Sequence, residues 1–223
     1  MSRIKAVLFD LGGTLVHVES VPETFHKILK AHGVECSIAE ISEAWEKANK
    51  QLGEKKMADF GARFWINFNL LVLEDLGIKE NVLFLAEAID KEWWEYANFS
   101  LYPEALTVLA KLKEMGLKVG VITNGLQTDV NKILAKLGLE GFFDVKVCID
   151  TVGKAKPANE IFTYACEKLG LQPKDVLFVG DSIEIDYEGA RKAGLKALLI
   201  DRNGKQKRNI RKIKSLQEIL SLI

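Results

Sequence analysis

The sequence predicts an α/β protein: a doubly wound, Rossmann-like parallel sheet core carrying an inserted α-helical cap domain. Three observations lead there. From residue 118 onward, short buried-type apolar runs alternate with stretches of helical periodicity. Parallel neighbours need crossover connections, and these cover both faces of a sheet. A strand of the same kind, Ile4 to Phe9, stands alone at the amino terminus, and the residues between read as helical. The predicted boundaries are 1–15 and 99–223 for the core and 16–98 for the insertion.

Ile4 to Phe9 is β-branched and aromatic, and Gly12-Gly13 stops it. Pro22 opens an amphipathic helix that Gly33 closes, and Ile38 to Leu52 is a second. Met57 to Leu76 and Asn81 to Ala97 are longer. They carry Trp65, Trp93 and Trp94, with Trp45 on the second helix. Such an aromatic stripe fits a helical-bundle core, with the lining of a substrate pocket as the alternative use.

Pro103 starts the next helix and Gly116 follows its end, before the strand Lys118 to Thr123. A helix Thr128–Leu137, a strand Val145–Ile149, a helix Ala158–Leu169 and a strand Val176–Val179 continue the alternation. A helix Asp186–Ala193 and a strand Lys196–Ile200 complete five strands. Lys205, Lys207, Arg208, Arg211, Lys212 and Lys214 form a basic tail, read as a solvated face. Ser215 and Glu218 have capping-box spacing ahead of a short helix, Leu216–Leu222.

The 223 residues are 48% hydrophobic and 28% charged, with a net charge of +0. No global basic field favours nucleic acid or an anionic membrane, so a small-molecule substrate is expected. Cys36, Cys148 and Cys166 lack metal-site spacing and read as reduced packing residues. No apolar run approaches the roughly 20 residues of a spanning helix, and the first strand begins too early for a signal peptide. A cytoplasmic protein, monomer or homodimer, is expected.

The chemistry gathers at strand ends, where open α/β sheets bind ligands. Asp10 ends the first strand. Thr123-Asn124-Gly125 ends the second, with a hydroxyl, an amide and exposed backbone N–H groups suited to phosphoryl oxygens. Lys154 and Lys156 follow the third, and Asp181 ends the fourth with Asp186 five residues on. Three carboxylates at one sheet edge repel one another unless a cation or a lysine compensates, and an oxygen-only set suits Mg2+.

In these motifs the chain resembles the haloacid dehalogenase-like superfamily of hydrolases. Asp10 to Leu15 matches its first motif, Thr123 its second, Lys156 its third, and Gly180-Asp181 with Asp186 its fourth; the helical segment sits where that superfamily inserts a cap. The resemblance implies that Asp10 is the nucleophile, with Thr123 and Lys156 completing the catalytic group. It also implies substrate binding by Thr14, Asn124 and Gly125, and Mg2+ held by Asp10, the Gly12 carbonyl, Asp181 and Asp186. A small phosphorylated metabolite is the expected substrate. One departure stands out: phosphatases of the superfamily carry a general acid–base aspartate two residues after the nucleophile, where this chain has Gly12. His17 and Glu19 are candidate surrogates.

Other readings stay open in the sequence. A 2-haloacid dehalogenase uses the same aspartate on carbon without metal, but usually has an aromatic residue where Gly12 stands. A phosphonate hydrolase recruits a cap lysine, for which Lys27 and Lys30 are candidates. A binding protein with a retained pocket is the third alternative.

Overall fold

The computed structural model describes residues 3–18, 20–52 and 63–223. Six parallel strands form one sheet in the order β5-β4-β1-β6-β7-β8, where β1 is Ala6–Phe9, β4 Lys118–Ile122, β5 Val145–Val147, β6 Val176–Gly180, β7 Lys196–Ile200 and β8 Lys212–Ile213. β1 is central because every residue in it is fully buried, which suits its unbroken apolar run to neighbours on both edges. It pairs with β4 and β6 in matching register, Phe9 lying opposite both Val121 and Val179. The carboxyl ends of three strands are therefore level, and the residues that follow them emerge side by side.

The expected strands and helices of this region are present, with four differences. The third strand stops at Val147, because the Cys148 amide donates to Thr151 Oγ1 at 3.0 Å and opens a helical turn, Ile149–Val152. The helix after β6 begins before Asp186: Ser182 Oγ accepts from the Ile185 amide at 3.3 Å and caps a π-helical turn, Ile183–Glu188. The basic tail holds a sixth strand. Ile213 is buried there and its carbonyl accepts from Asp201 N at 2.7 Å, while the six tail cations remain exposed. Ser215 and Glu218 do form the capping box, but on a 3-10 turn, Leu216–Ser221.

The chain divides into two compact units, residues 1–17 with 100–223, and residues 18–99. Strands β2 (Val16–Val18) and β3 (Phe99–Leu101) pair as a separate two-stranded sheet where the chain passes from one unit to the other and back. The second unit contains helices α1 (Val21–Ala31), α2 (Ile38–Leu52), α3 (Phe64–Asp75) and α4 (Val82–Tyr96). The start of the expected third helix, residues 57–62, lies outside the described residues. Phe25, Phe68, Ile41, Leu73 and Ile89 fill the helical core, and Trp45, Trp65 and Trp93 pack around it. Trp45 meets Phe68 edge-on at 4.3 Å between ring centroids. The aromatic stripe is thus spent on bundle packing, except for Trp94, which meets Phe99. Among the described residues no helix is long and apolar enough to cross a membrane.

Gly120 shows how tightly the sheet is packed: a Cβ there would lie 2.4 Å from Val145 Cγ1 and 2.8 Å from Leu8 Cδ2. Overfilling a close-packed core costs about 1–3 kcal/mol. Gly120→Ala is expected to lower unfolding free energy by about that amount, measured by urea denaturation; an unchanged midpoint would show that β4 and β5 separate freely.

Candidate active site

Each site residue owes its place to the end of a strand. The Asp10 amide donates to the Val179 carbonyl at 2.9 Å and the Thr123 amide to the Val147 carbonyl at 3.0 Å, so both continue the ladder by one bond before the chain turns away. Asp181 follows Gly180, the last residue of β6. Lys156 arrives by a different route, through the turn Ile149–Val152 and Gly153, whose φ of +72° suits glycine and reverses the chain.

The side chains converge on one ammonium group. Lys156 Nζ donates to Asp10 Oδ1 and to Asp186 Oδ1, each at 2.6 Å. Asp186 Oδ2 accepts from the Ser182 amide at 3.0 Å, so both of its oxygens are engaged. Carboxylate oxygens of Asp10, Asp181 and Asp186 all lie within 4.8 Å of one another; Asp181 is solvent-exposed and the other two are buried. Lys154, the alternative lysine of the same loop, is exposed.

Two glycines make this proximity possible. At Gly13, with φ of +77°, a Cβ would lie 2.2 Å from Asp181 Oδ2. At Gly180 a Cβ would lie 2.4 Å from Asp186 Cγ. Neither position has room for a side chain. Gly12 differs: it is exposed and a Cβ there would have nothing within 4 Å.

Electrostatics follow from burial. Desolvation pushes the Asp10 carboxyl up to about 7; the Lys156 charge opposes that rise, while Asp186 and Asp181 add to it. Burial works against the Lys156 charge too, but Asp10 and Asp186 overcome it and hold its pKa above the ordinary lysine value. Asp181 is raised, first by its partly buried surroundings and then by Asp186. Three carboxylates against one ammonium leave a formal deficit of two positive charges. A hard divalent cation with oxygen ligands fits that deficit, and this is the chemistry of Mg2+ rather than of a thiolate or imidazole metal site.

The remaining predicted residues fall into separate groups. The Asn124 side chain accepts from the Lys156 amide at 2.7 Å and donates to the Lys156 carbonyl at 3.1 Å. Its side-chain amide positions Lys156, a role without a sequence signal. Thr123 Oγ1 accepts from the Gly125 amide at 3.2 Å, which folds that loop back on itself. Thr14 is fully buried and its hydroxyl has no partner among the described residues, while its carbonyl accepts from Arg202 Nη2 at 2.8 Å. Arg202 escaped notice in the sequence because it lies beyond the last predicted strand. His17 is exposed, its ring 5.7 Å from that of Tyr102, and it is not among the clustered carboxylates. Glu19 lies outside the described residues. Lys27 and Lys30 belong to α1 in the other unit.

Comparison with known proteins agrees with this arrangement. A model of the haloacid dehalogenase-like hydrolases matches residues 4–194. A glyceraldehyde 3-phosphate phosphatase of Methanopyrus kandleri is 31% identical over 200 residues, spanning 89% of this chain and 84% of that protein. An (S)-2-haloacid dehalogenase of Pseudomonas fluorescens is 26% identical, over 82% and 78%. The solved structure of a HAD phosphatase from Thermococcus onnurineus superposes with a TM-score of 0.64 at 27% identity, covering 98% of this chain and 97% of that one. With a six-stranded parallel sheet, a lysine bridging the Asp10 carboxylate at a strand end to Asp186 in the turn after β6, and a family match over most of its length, the chain belongs to the haloacid dehalogenase-like hydrolases.

Proposed function

We propose that this hydrolase is a Mg2+-dependent phosphatase of small phosphorylated metabolites, acting through a covalent aspartyl-phosphate at Asp10. The observation that carries the reading is the Lys156 bridge between Asp10 and Asp186, with Asp181 alongside. Attack on carbon needs an aspartate and no metal; the three grouped carboxylates support attack on phosphorus. The greater likeness to a phosphatase than to a dehalogenase supports the same choice.

In this mechanism an Asp10 oxygen attacks phosphorus. The new O–P bond forms as the ester P–O bond breaks, and the leaving oxygen departs as an alkoxide or aryloxide that takes its proton from solvent. Water then attacks phosphorus, yielding a proton to solvent as the Asp10 O–P bond breaks, which releases inorganic phosphate and restores the Asp10 carboxylate. Lys156 stays protonated throughout, orients Asp10 and stabilises the charge that gathers on the phosphoryl oxygens. The Thr123 hydroxyl and the Asn124 backbone amide would hold those oxygens, the Gly125 amide fixing the Thr123 hydroxyl for that contact. Thr14, being fully enclosed, is assigned to shaping the loop instead of touching substrate. Mg2+ held by Asp10, the Gly12 carbonyl and Asp181 would supply the missing positive charge and keep Asp10 ionised. Asp186 would act on the ion through water, since both its oxygens already accept hydrogen bonds.

The first test is phosphate release from an aryl phosphate. Activity is expected to need both Mg2+ and Asp10, with Asp10→Asn falling to the background rate. Equal rates for the two proteins at every Mg2+ concentration would sink the phosphatase reading and leave halide release, then binding without turnover, to be measured.

Gly12 makes the second prediction. No side chain there can protonate the leaving alkoxide, and general acid–base help is worth about 10²–10⁴-fold. Because a Cβ at this position has nothing within 4 Å, Gly12→Asp is the substitution that introduces the acid. The variant is expected to raise kcat on alkyl phosphates by about 10²-fold and to change aryl phosphate rates little. An equal gain on both would show that protonation of the leaving group does not limit the wild type.

The third prediction concerns pH without metal. The Asp10 carboxyl has a folded pKa raised from 3.8 to about 7, so its burial is tolerated at low pH and becomes unfavourable as pH rises through that range. Stability in EDTA is expected to fall between about pH 4 and 7 in the wild type, and less so in Asp10→Asn. Added Mg2+ should restore more stability at pH 8 than at pH 5, because cation and proton compete for the same oxygens. Urea midpoints at the two pH values provide the check; parallel pH profiles for the two proteins would contradict it.

A further inference from the structure

We infer that Arg202 is a positioning residue for the reaction, holding the loop that carries Asp10 by its backbone. The inference rests on the phosphatase reading above for its kinetic arm alone. Arg202 lies just past β7, at the same sheet edge as the strand-end site, and its side chain is only 19% exposed. Its guanidinium is held on three sides. Nη1 donates to Glu104 Oε1 at 2.6 Å, Nη2 donates to the Thr14 carbonyl at 2.8 Å, and Cζ sits 3.4 Å from the centroid of the Tyr102 ring. A lysine has one donor head and no plane to stack, so this arrangement is specific to arginine.

The contact matters because of what the loop lacks. Within it, the amides of Leu15 and Val16 both donate to the Leu11 carbonyl, at 3.0 and 2.8 Å, and the Gly13 amide donates to the Val16 carbonyl at 2.8 Å. These bonds tie the loop to itself. The Thr14 hydroxyl has no partner among the described residues and so anchors nothing. Two consecutive carbonyls provide the ties to the rest of the unit: Thr14 to Arg202, and Leu15 to the Tyr102 amide at 3.0 Å. Arg202 serves both, since it stacks on the ring of the residue whose amide holds Leu15.

Glu104 extends the hold. Its Oε1 also accepts from the Leu216 amide at 3.4 Å, and the Arg202 charge helps keep its carboxyl ionised against the cost of burial. The carboxyl-terminal 3-10 turn, the return segment at 102–104 and the Asp10 loop thus meet on one ion pair. The Asp10 backbone follows β1, but among the described residues the chain from Gly12 to Leu15 has no strand neighbour beyond the Gly12–Val16 bridge. Its shape determines where Gly13 passes Asp181, the contact with no spare room. A displaced loop therefore shifts Asp10 against Asp181 without removing either.

The test uses Arg202→Met and Arg202→Lys in the full chain, with folding checked by circular dichroism. For Arg202→Met, kcat on an aryl phosphate is expected to fall about 10–10²-fold, with KM within about threefold, as for misplacement of a reacting group. Amide hydrogen exchange at Gly13, Leu15 and Val16 should quicken while the β6 amides keep their protection. Arg202→Lys should recover only part of the loss; if the Met variant does not fold, the Lys variant must by itself show the drop in kcat and the faster loop exchange. Wild-type kcat per folded molecule, a rise in KM alone, or unchanged loop exchange would overturn the inference. A wild type that hydrolyses no phosphate ester would instead count against the phosphatase reading, with the exchange comparison still deciding whether Arg202 holds the loop.

Discussion

One ammonium group between two buried carboxylates imposes the strictest condition on this structure. Lys156 is 4% exposed, Asp186 2% and Asp10 8%, so three formal charges have left water. Each such transfer costs several kcal/mol after relaxation, and only close, well-directed pairing offsets it. Both contacts of 2.6 Å meet that condition. Much of the local architecture serves them. Level strand ends bring Asp10 beside β6, Gly180 lets Asp186 close in, and the Asn124 side chain grips the Lys156 backbone on both polar atoms. Removal of the lysine would leave two uncompensated anions in the interior, a change worth about 3–5 kcal/mol. The site and part of the fold's stability are therefore one problem.

Pairing leaves the cluster incomplete: the charge balance is still negative, and Asp10 is pushed up first by burial and then by its carboxylate neighbours. A protein of this kind gains stability from whatever cation fills the deficit, by mass action on the folded state. In the proposed mechanism, the charge that would complete the site electrostatically would also keep Asp10 ionised for attack near neutral pH. Burial, which makes Asp10 reluctant to ionise, and a bound divalent ion, which reverses that reluctance, act on the same carboxyl. Asp181, the exposed member, offers the approach from solvent, while Asp186 keeps the lysine in place.

The sheet was legible in the residues because central parallel strands are apolar on both faces; Val7-Leu8-Phe9 and Val176 to Val179 have no polar alternation to confuse them. Asp10 and Asp181 were legible by position, as charges placed where apolar runs end, and Lys156 and Asp186 by their match to the superfamily's motifs. Contacts made by the backbone were not. Nothing in a sequence shows that Asn124 bonds the Lys156 main chain or that Arg202 reaches the Thr14 carbonyl, because either side chain would serve equally well in water. β8 escaped for another reason: two residues, Lys212 and Ile213, are too few for any periodicity, and they sit among cations that read as surface. The aromatic residues of the helical unit left two uses open, and the edge-on packing of Trp45 and Trp93 against Phe25, and of Trp45 on Phe68, decides for core.

Three glycines near the cluster separate structural need from chemical choice. Gly13 and Gly180 are fixed by space, since any Cβ would strike Asp181 or Asp186. Gly12 meets no such obstacle, so neither packing nor backbone geometry accounts for the missing carboxylate. Electrostatics gives one consequence of its absence. A fourth acid in this loop would deepen the negative balance, push Asp10 further from ionisation and weaken the metal-free fold. Glycine spares the protein that repulsion and forgoes a proton donor worth about 10²–10⁴-fold. Such an exchange suits a substrate whose leaving group departs without a proton, because there the acid would add its electrostatic cost and little rate.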